Sequence, residues 1–327
     1  MPKQMLTRYK KLIGPILGLV IYALIPFFMQ SPYYLDLLVM VLVNAVLAIT
    51  FIMMLRTGLI SLGIAAFWGV GAYTSAVLVM KFHQSFWISL PAAALITGVI
   101  ALGIGYFLMR SGSSGLGFIM LSAVIGMLFT VAVGNTSYLG GYNGIAEIPP
   151  PNPIRIPFLP AIEFVSKVSL FYLALFLFVV IVLICTAFYS AWTGRAWTAI
   201  GLNPRLAESM GIDIFRYKLA SFVVASSIAG FIGSFYAHYH GFLIPGTFDM
   251  WVNIYIQIYA ILGGLGYAIW GPLIGSAVMT FFPELIRGAR ELAPVFTGVL
   301  LILFVLFFPG GFLSLLEWRK AVVKKES

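Results

Sequence analysis

Residues 168–191 read VSLFYLALFLFVVIVLICTAFYSA, 24 positions without a single charge. A helix needs about 20 residues to cross a hydrocarbon core roughly 30 Å thick. A stretch that is apolar on every face has no side to offer water, so this segment reads as a membrane span. Cys185 lies inside it and is the only cysteine in the chain. One thiol makes no intrachain disulfide, and within such a run it reads as a small hydrophobe.

Working outward, comparable apolar runs fall at 12–29, 35–55, 60–80, 87–109, 116–133, 219–239, 252–268, 270–287 and 294–310. The composition agrees: 61% of the 327 residues are hydrophobic and 9% are charged, with mean hydropathy +1.05. A soluble domain carries about a quarter charged residues, so the solvent for most of this chain is lipid. The expected fold is all-α, a polytopic transmembrane bundle of about ten spans, forming one domain over 1–327. The opening MPKQMLTRYKK and the apolar run after it have the order of a signal peptide. No small-residue cleavage site follows, so they read as an uncleaved first span.

The net charge of +9 could indicate nucleic acid in a soluble protein. Here the basic residues cluster at the ends and in short loops, and Trp192, Trp197 and Trp318 beside them read as interfacial belts. Ten spans with both termini inside leave Lys81, Arg155, Lys167, Arg287 and Arg290 outside and put the other 14 of the 19 Lys and Arg residues in the cytoplasm. The run from 252 to 287 is interrupted by the turn-forming GGLG at 263–266 and by Gly271-Pro272. It reads as two short spans, or as one span plus a re-entrant segment; two spans keep the carboxy-terminal tail, with its four basic residues, inside, and a single merged span would put that tail outside.

Two loops are long. The external one, 134–167, has six prolines that exclude a continuous helix. The internal one, 192–218, reads WTGRAWTAIGLNPRLAESMGIDIFRYK. It holds two short helical stretches, Ala196 to Ile200 and Leu206 to Met210, broken at Asn203-Pro204 and at Gly211. Arg205, Glu208 and Arg216 stay wet there, whereas Leu206, Met210 and Ile212 offer an apolar patch to a partner protein.

Enzyme signatures are missing. No GxxxxGK[ST] run is present to cradle ATP phosphates. Gly112, Gly115 and Gly117 follow no strand and read as small-residue helix packing, as does the GxxxG spacing of Gly271 and Gly275. His238 and His240 are two apart, on different helix faces, and with His83 make no metal site; the pair reads as interfacial. Asp36, Asp249, Glu284 and Arg287 map near span ends, so no mid-span carboxylate stands out as a proton carrier. Neutral polar residues within spans are the candidates for lining a solute path: Asn44, Ser61, Tyr73, Thr74, Asn253 and Gln257. Each also reads as an ordinary interhelical hydrogen bond, worth roughly 0.6 kcal/mol.

Several segments together resemble the permease subunit of ABC importers for branched-chain amino acids, of the LivM type. They are TGLISLGIAAFWGVGAYTSAVL at 57–78, GGYNGIAEIPPP at 140–151, AIGLNPRLAESMGIDIFRYKLASFVVASSIAGFIGSFYAHYHGFLIPGTF at 199–248, ILGGLGYAIWGPLIGSAVMTFFPELI at 261–286 and FFPGGF at 307–312. The resemblance implies that Arg205, Leu206, Ala207, Glu208, Ser209, Met210 and Gly211 couple the chain to an ATPase. The family often opens that motif with an Arg, an acidic residue and Asn, where this chain has Leu202-Asn203-Pro204.

It further implies a prokaryotic inner-membrane location and a second homologous permease subunit. Two cytoplasmic ATP-binding subunits would carry ATP and magnesium, and an extracytoplasmic solute-binding protein would deliver the substrate. The chain itself would bind no cofactor and would not be an enzyme. Members of the family also serve urea and short amides. An ion-coupled secondary carrier and a membrane scaffold without solute flux are the competing readings.

Overall fold

In a computed structural model of the chain, the residues described are 18–27, 31–110, 115–154 and 163–285, with Gly298, Ile302, Gly311 and Phe312 singly. Eleven α-helices stand out among them. Five are long and apolar enough to cross a membrane: α2 (Pro32–Leu55), α4 (Phe86–Arg110), α5 (Leu116–Gly134), α6 (Lys167–Ser190) and α9 (Ile214–His240). Three apolar ones are shorter: α1 (Gly18–Phe27), α3 (Ile64–Met80) and α10 (Met250–Gly263). The remainder are α7 (Trp192–Leu202), α8 (Pro204–Ser209) and α11 (Trp270–Leu285). The run at 252–287 is therefore two helices, parted at Gly264, whose φ is +106°. The apolar run at 294–310 lies outside the described residues apart from Gly298 and Ile302.

α2 and α9 make the centre. α2 packs against α6, α9, α10 and α11, and α9 lies against α3 and α4. Buried positions run along every face of α2 from Leu35 to Met54. Its Pro32 sits at the first helical position, where no amide is lost. α9 repeats small residues every fourth position, Ser226, Gly230, Ser234, and then His238, a spacing that stacks them on one stripe. The stripe lets neighbours approach closely: a Cβ added to Gly71 of α3 would lie 2.1 Å from the Gly230 carbonyl oxygen. At Gly275 an added Cβ would meet Tyr259 O at 1.9 Å, so the GxxxG spacing does mark a tight crossing of α10 and α11. Gly115 departs from the packing reading. Nothing lies within 4 Å of its would-be Cβ, and its φ of +63° starts α5. A positive φ, which side chains resist, explains that glycine.

One end of the bundle carries the irregular segment 135–154 and the other carries α7–α8. At the loop end, Asp36 Oδ1 accepts from Lys167 Nζ at 2.8 Å and from Tyr239 OH, tying α2, α6 and α9 together. The segment itself contains two single 3-10 turns, Ser137–Leu139 and Gly141–Asn143, and no longer helix. It is pinned to the stretch after α9 by paired backbone bonds between Ile145 and Leu243 at 2.8 Å.

Candidate functional site

α3 and α10 begin beside each other in the buried interior of the bundle. From the hairpin end, Thr57–Gly63 runs inward without helical structure before α3 starts. From the loop end, Gly241–Asp249 runs inward, with Phe248 packed on Trp68 and Tyr73 of α3 at ring distances of 4.8 and 5.9 Å. The two helix N-termini then meet: Asn253 Oδ1, in the first turn of α10, accepts from Ala65 N at 2.8 Å. Exposed amides at a helix start must find partners, and in a lipid-walled interior those partners must be protein. Here Ser61 Oγ serves Gly63 N at 3.2 Å, and Ser122 Oγ of α5 serves Leu62 N at 2.9 Å.

Of the six candidate path residues, Ser61, Asn253 and Gln257 therefore gather at this helix break. Gln257 lies one turn beyond Asn253, and its buried Nε2 has no hydrogen-bond partner. Ser122 belongs to the same cluster and carries no sequence signal, since its role is set by a neighbouring helix. Tyr73 and Thr74 sit elsewhere, in a cavity of about 340 Å³ on the loop side, walled by Val70, Ile96, Phe129 and Val133. Asn44 joins neither group and makes no hydrogen bond among the described residues.

A second polar cluster lies between α3, α4 and α9. His238 is 2% exposed; its Nδ1 is 2.7 Å from the Pro149 carbonyl and its Nε2 2.9 Å from Ser75 Oγ. The carbonyl only accepts, so Nδ1 carries a proton and donates. Ser75 Oγ is also 2.8 Å from both Ser89 Oγ and Ser234 Oγ. This corrects the interfacial reading of the histidine. His238 shares a face with Ser234, four residues before it, and not with His240. It fastens the Ile-Pro-Pro-Pro segment to the interior, aided by Asn152, whose side chain accepts from Phe86 N at 2.9 Å. Among the described residues no three His, Cys, Asp or Glu group as metal ligands.

The hairpin α7–α8 is firmly mounted and exposed at its tip. Trp197 of α7 is buried; its Nε1 donates to Tyr217 O at 3.0 Å, and its ring stacks on Phe188 at 5.9 Å. Asn203 and Pro204, the departure from the family motif, start α8: Asn203 Oδ1 caps Leu206 N at 3.1 Å and Pro204 takes the first helical position. Within residues 205–211 Ala207 is buried against the bundle, Ser209 Oγ bonds back to Leu206 O at 2.8 Å, and Gly211 ends the helix with φ +81°. Arg205 and Glu208 are exposed. Leu202, Leu206 and Met210 stand 83%, 59% and 73% exposed, a projecting apolar ridge.

Comparison with known proteins matches residues 33–306 to the family described as branched-chain amino acid transport system, permease component. A LivM high-affinity branched-chain amino acid transport permease of Salmonella typhimurium is 26% identical over 319 residues, covering 92% of this chain and 74% of the relative. Escherichia coli LivM is 27% identical over 79% of this chain and 64% of the relative, so the chain spans less than two thirds of that protein. A probable branched-chain amino acid transport permease, LivH, of Methanocaldococcus jannaschii is 31% identical over 44% of this chain and 48% of its own length. No solved structure matches.

Proposed function

The chain belongs to the family of branched-chain amino acid transport permease components, and from that premise we propose that it is one membrane half of an ATP-driven importer of branched-chain amino acids. It is a multi-pass membrane protein of ten spans with both termini cytoplasmic, resident in the inner membrane of a prokaryote. The observation that carries the reading is the ridge of Leu202, Leu206 and Met210 on a rigid mount at the hairpin end. Apolar side chains facing water at a span-to-span connector have no use in lipid burial, and such patches mark protein contacts. The partner is a cytoplasmic ATPase, because this sequence has no phosphate-cradling loop of its own.

In this reading two ATPase subunits close and push α7–α8, rocking this chain against a second, related permease. A solute-binding protein lands on the segment 134–167 and releases substrate toward a path between the two permeases. Ser61, Asn253 and Gln257 at the helix break, and Tyr73 and Thr74 beside the loop-side cavity, are this chain's contribution to it. A helix break that leaves a buried donor, Gln257 Nε2, without a partner suits a small zwitterion.

Purification from the native host in mild detergent, with co-purifying subunits identified by mass spectrometry, tests the assembly. A Walker-motif ATPase and a second permease are expected. The double variant Leu206→Glu, Met210→Glu should lose the ATPase and ATP-dependent leucine uptake in proteoliposomes. Its own folding should hold, because exposed substitutions shift stability by only about 0.5 kcal/mol. Uptake without ATP, driven by an ion gradient through this chain alone, would replace the importer with a secondary carrier.

A further inference from the structure

A cavity of about 570 Å³ opens between the hairpin and the ends of the neighbouring helices, lined by Leu59, Met109, Glu208, Asp213, Phe215 and Lys218 among others. Its volume lies within the range of small-molecule sites. Three charged residues line it, and they differ in one respect. Asp213 is already engaged: Oδ1 accepts from Arg216 N at 3.0 Å and Oδ2 pairs with Arg216 Nε at 3.0 Å. The side chains of Glu208 and Lys218 make no hydrogen bond or ion pair, with each other or with any other described residue.

The placement of Glu208 follows from α8. Leu206 and Met210, four apart, share the outward ridge, and position 208 falls on the opposite side of the turn. Lys218 is half-buried at the first turns of α9, where an ammonium without a partner is costly. One wall thus offers an unpaired carboxylate, another an unpaired ammonium, and Leu59, Met109 and Phe215 supply apolar surface.

We propose that this cavity binds a free amino acid with an aliphatic side chain, on the cytoplasmic face: its ammonium on Glu208, its carboxylate on Lys218, its side chain against Leu59, Met109 and Phe215. The ligand's identity as transported product rests on the importer reading. Bound there, it bridges α8 to the α2–α3 turn and the end of α4. Imported amino acid then restrains the hairpin that drives its own import.

The test uses the full chain in lipid nanodiscs with tritiated leucine, and photoreactive leucine to locate the label. Saturable binding is expected, with label on the peptide spanning Glu208 to Lys218. Lys218→Gln and Glu208→Gln should each weaken it roughly tenfold to a hundredfold, the loss of one charge-assisted contact, and Lys218→Arg should restore it. Leucinol, without a carboxylate, and isocaproate, without an ammonium, should not compete. Absent saturable binding, affinity indifferent to both charge-removing variants, or label confined to other segments would each overturn the site. The two readings separate: an assembled complex without ATP-driven uptake sinks the importer yet leaves the labelled site standing. Robust uptake with no label at 208–218 does the reverse.

Discussion

Ser75 shows how a single hydroxyl can hold three helices. Its oxygen meets Ser89 of α4 and both Ser234 and His238 of α9. Hydrogen bonds in membranes average only about 0.6 kcal/mol, but stripping a buried partner from an imidazole leaves the cost of an unsatisfied group, about 1–3 kcal/mol. The second effect dominates here because Ser75, Ser89, Ser234 and His238 are all buried. Ser75→Ala is expected to lower the thermal midpoint of the detergent-solubilised protein measurably, whereas Ser89→Ala leaves His238 paired and should cost about half as much or less. Equal losses in a thermal-shift assay would contradict that ranking. The four-residue spacing of Ser226, Gly230, Ser234 and His238 stands in the sequence, but with no partner in view it left His238 reading as interfacial. Its partners Ser75 and Ser89 could not be picked out, because nothing local says which helices α9 will face.

At the scale of elements, the long helices were legible as apolar runs, and α7–α8 could be read from Asn203-Pro204 and Gly211. The true start of α3 was not. Residues 60–63 belong to a continuous apolar run, and the amides left outside the helix are met by Ser122 of α5 at Leu62 and by Ser61 at Gly63, while Asn253 of α10 takes Ala65 N within its first turn. Asn253→Leu removes the acceptor for Ala65 N and should cost about 1–3 kcal/mol, together with most of the uptake. Retained uptake at wild-type rate would take the helix break out of the solute path. The crossing of α3 and α9 makes a sharper demand. Gly71→Ala puts a methyl group 2.1 Å from a backbone oxygen, and overpacking of this kind costs about 1–3 kcal/mol. Gly103→Ala on α4, with nothing within 4 Å, serves as the neutral control. Fluorescence-detected size exclusion should show a reduced monodisperse peak for the first and an unchanged one for the second.

Across the whole molecule, the helices differ in what covers them. α4 and α5 leave most of their surface to lipid or to a partner, with 33% and 28% of their most apolar windows buried. For α2 the figure is 83%, at a mean hydropathy of 2.7. Once packed, α2 is sheathed by protein and could tolerate polar groups wherever a neighbour answers them. Its apolar character belongs to an earlier moment. Spans enter the bilayer before they find one another, and a newly made α2 meets acyl chains on every side with none of its later neighbours present. Its sequence thus satisfies two environments in succession, and the harsher comes first. A charge placed on α2 together with a complementary one on α6 would suit the finished protein and still be lost at the ribosome's exit, stranded outside the bilayer before the pair could form.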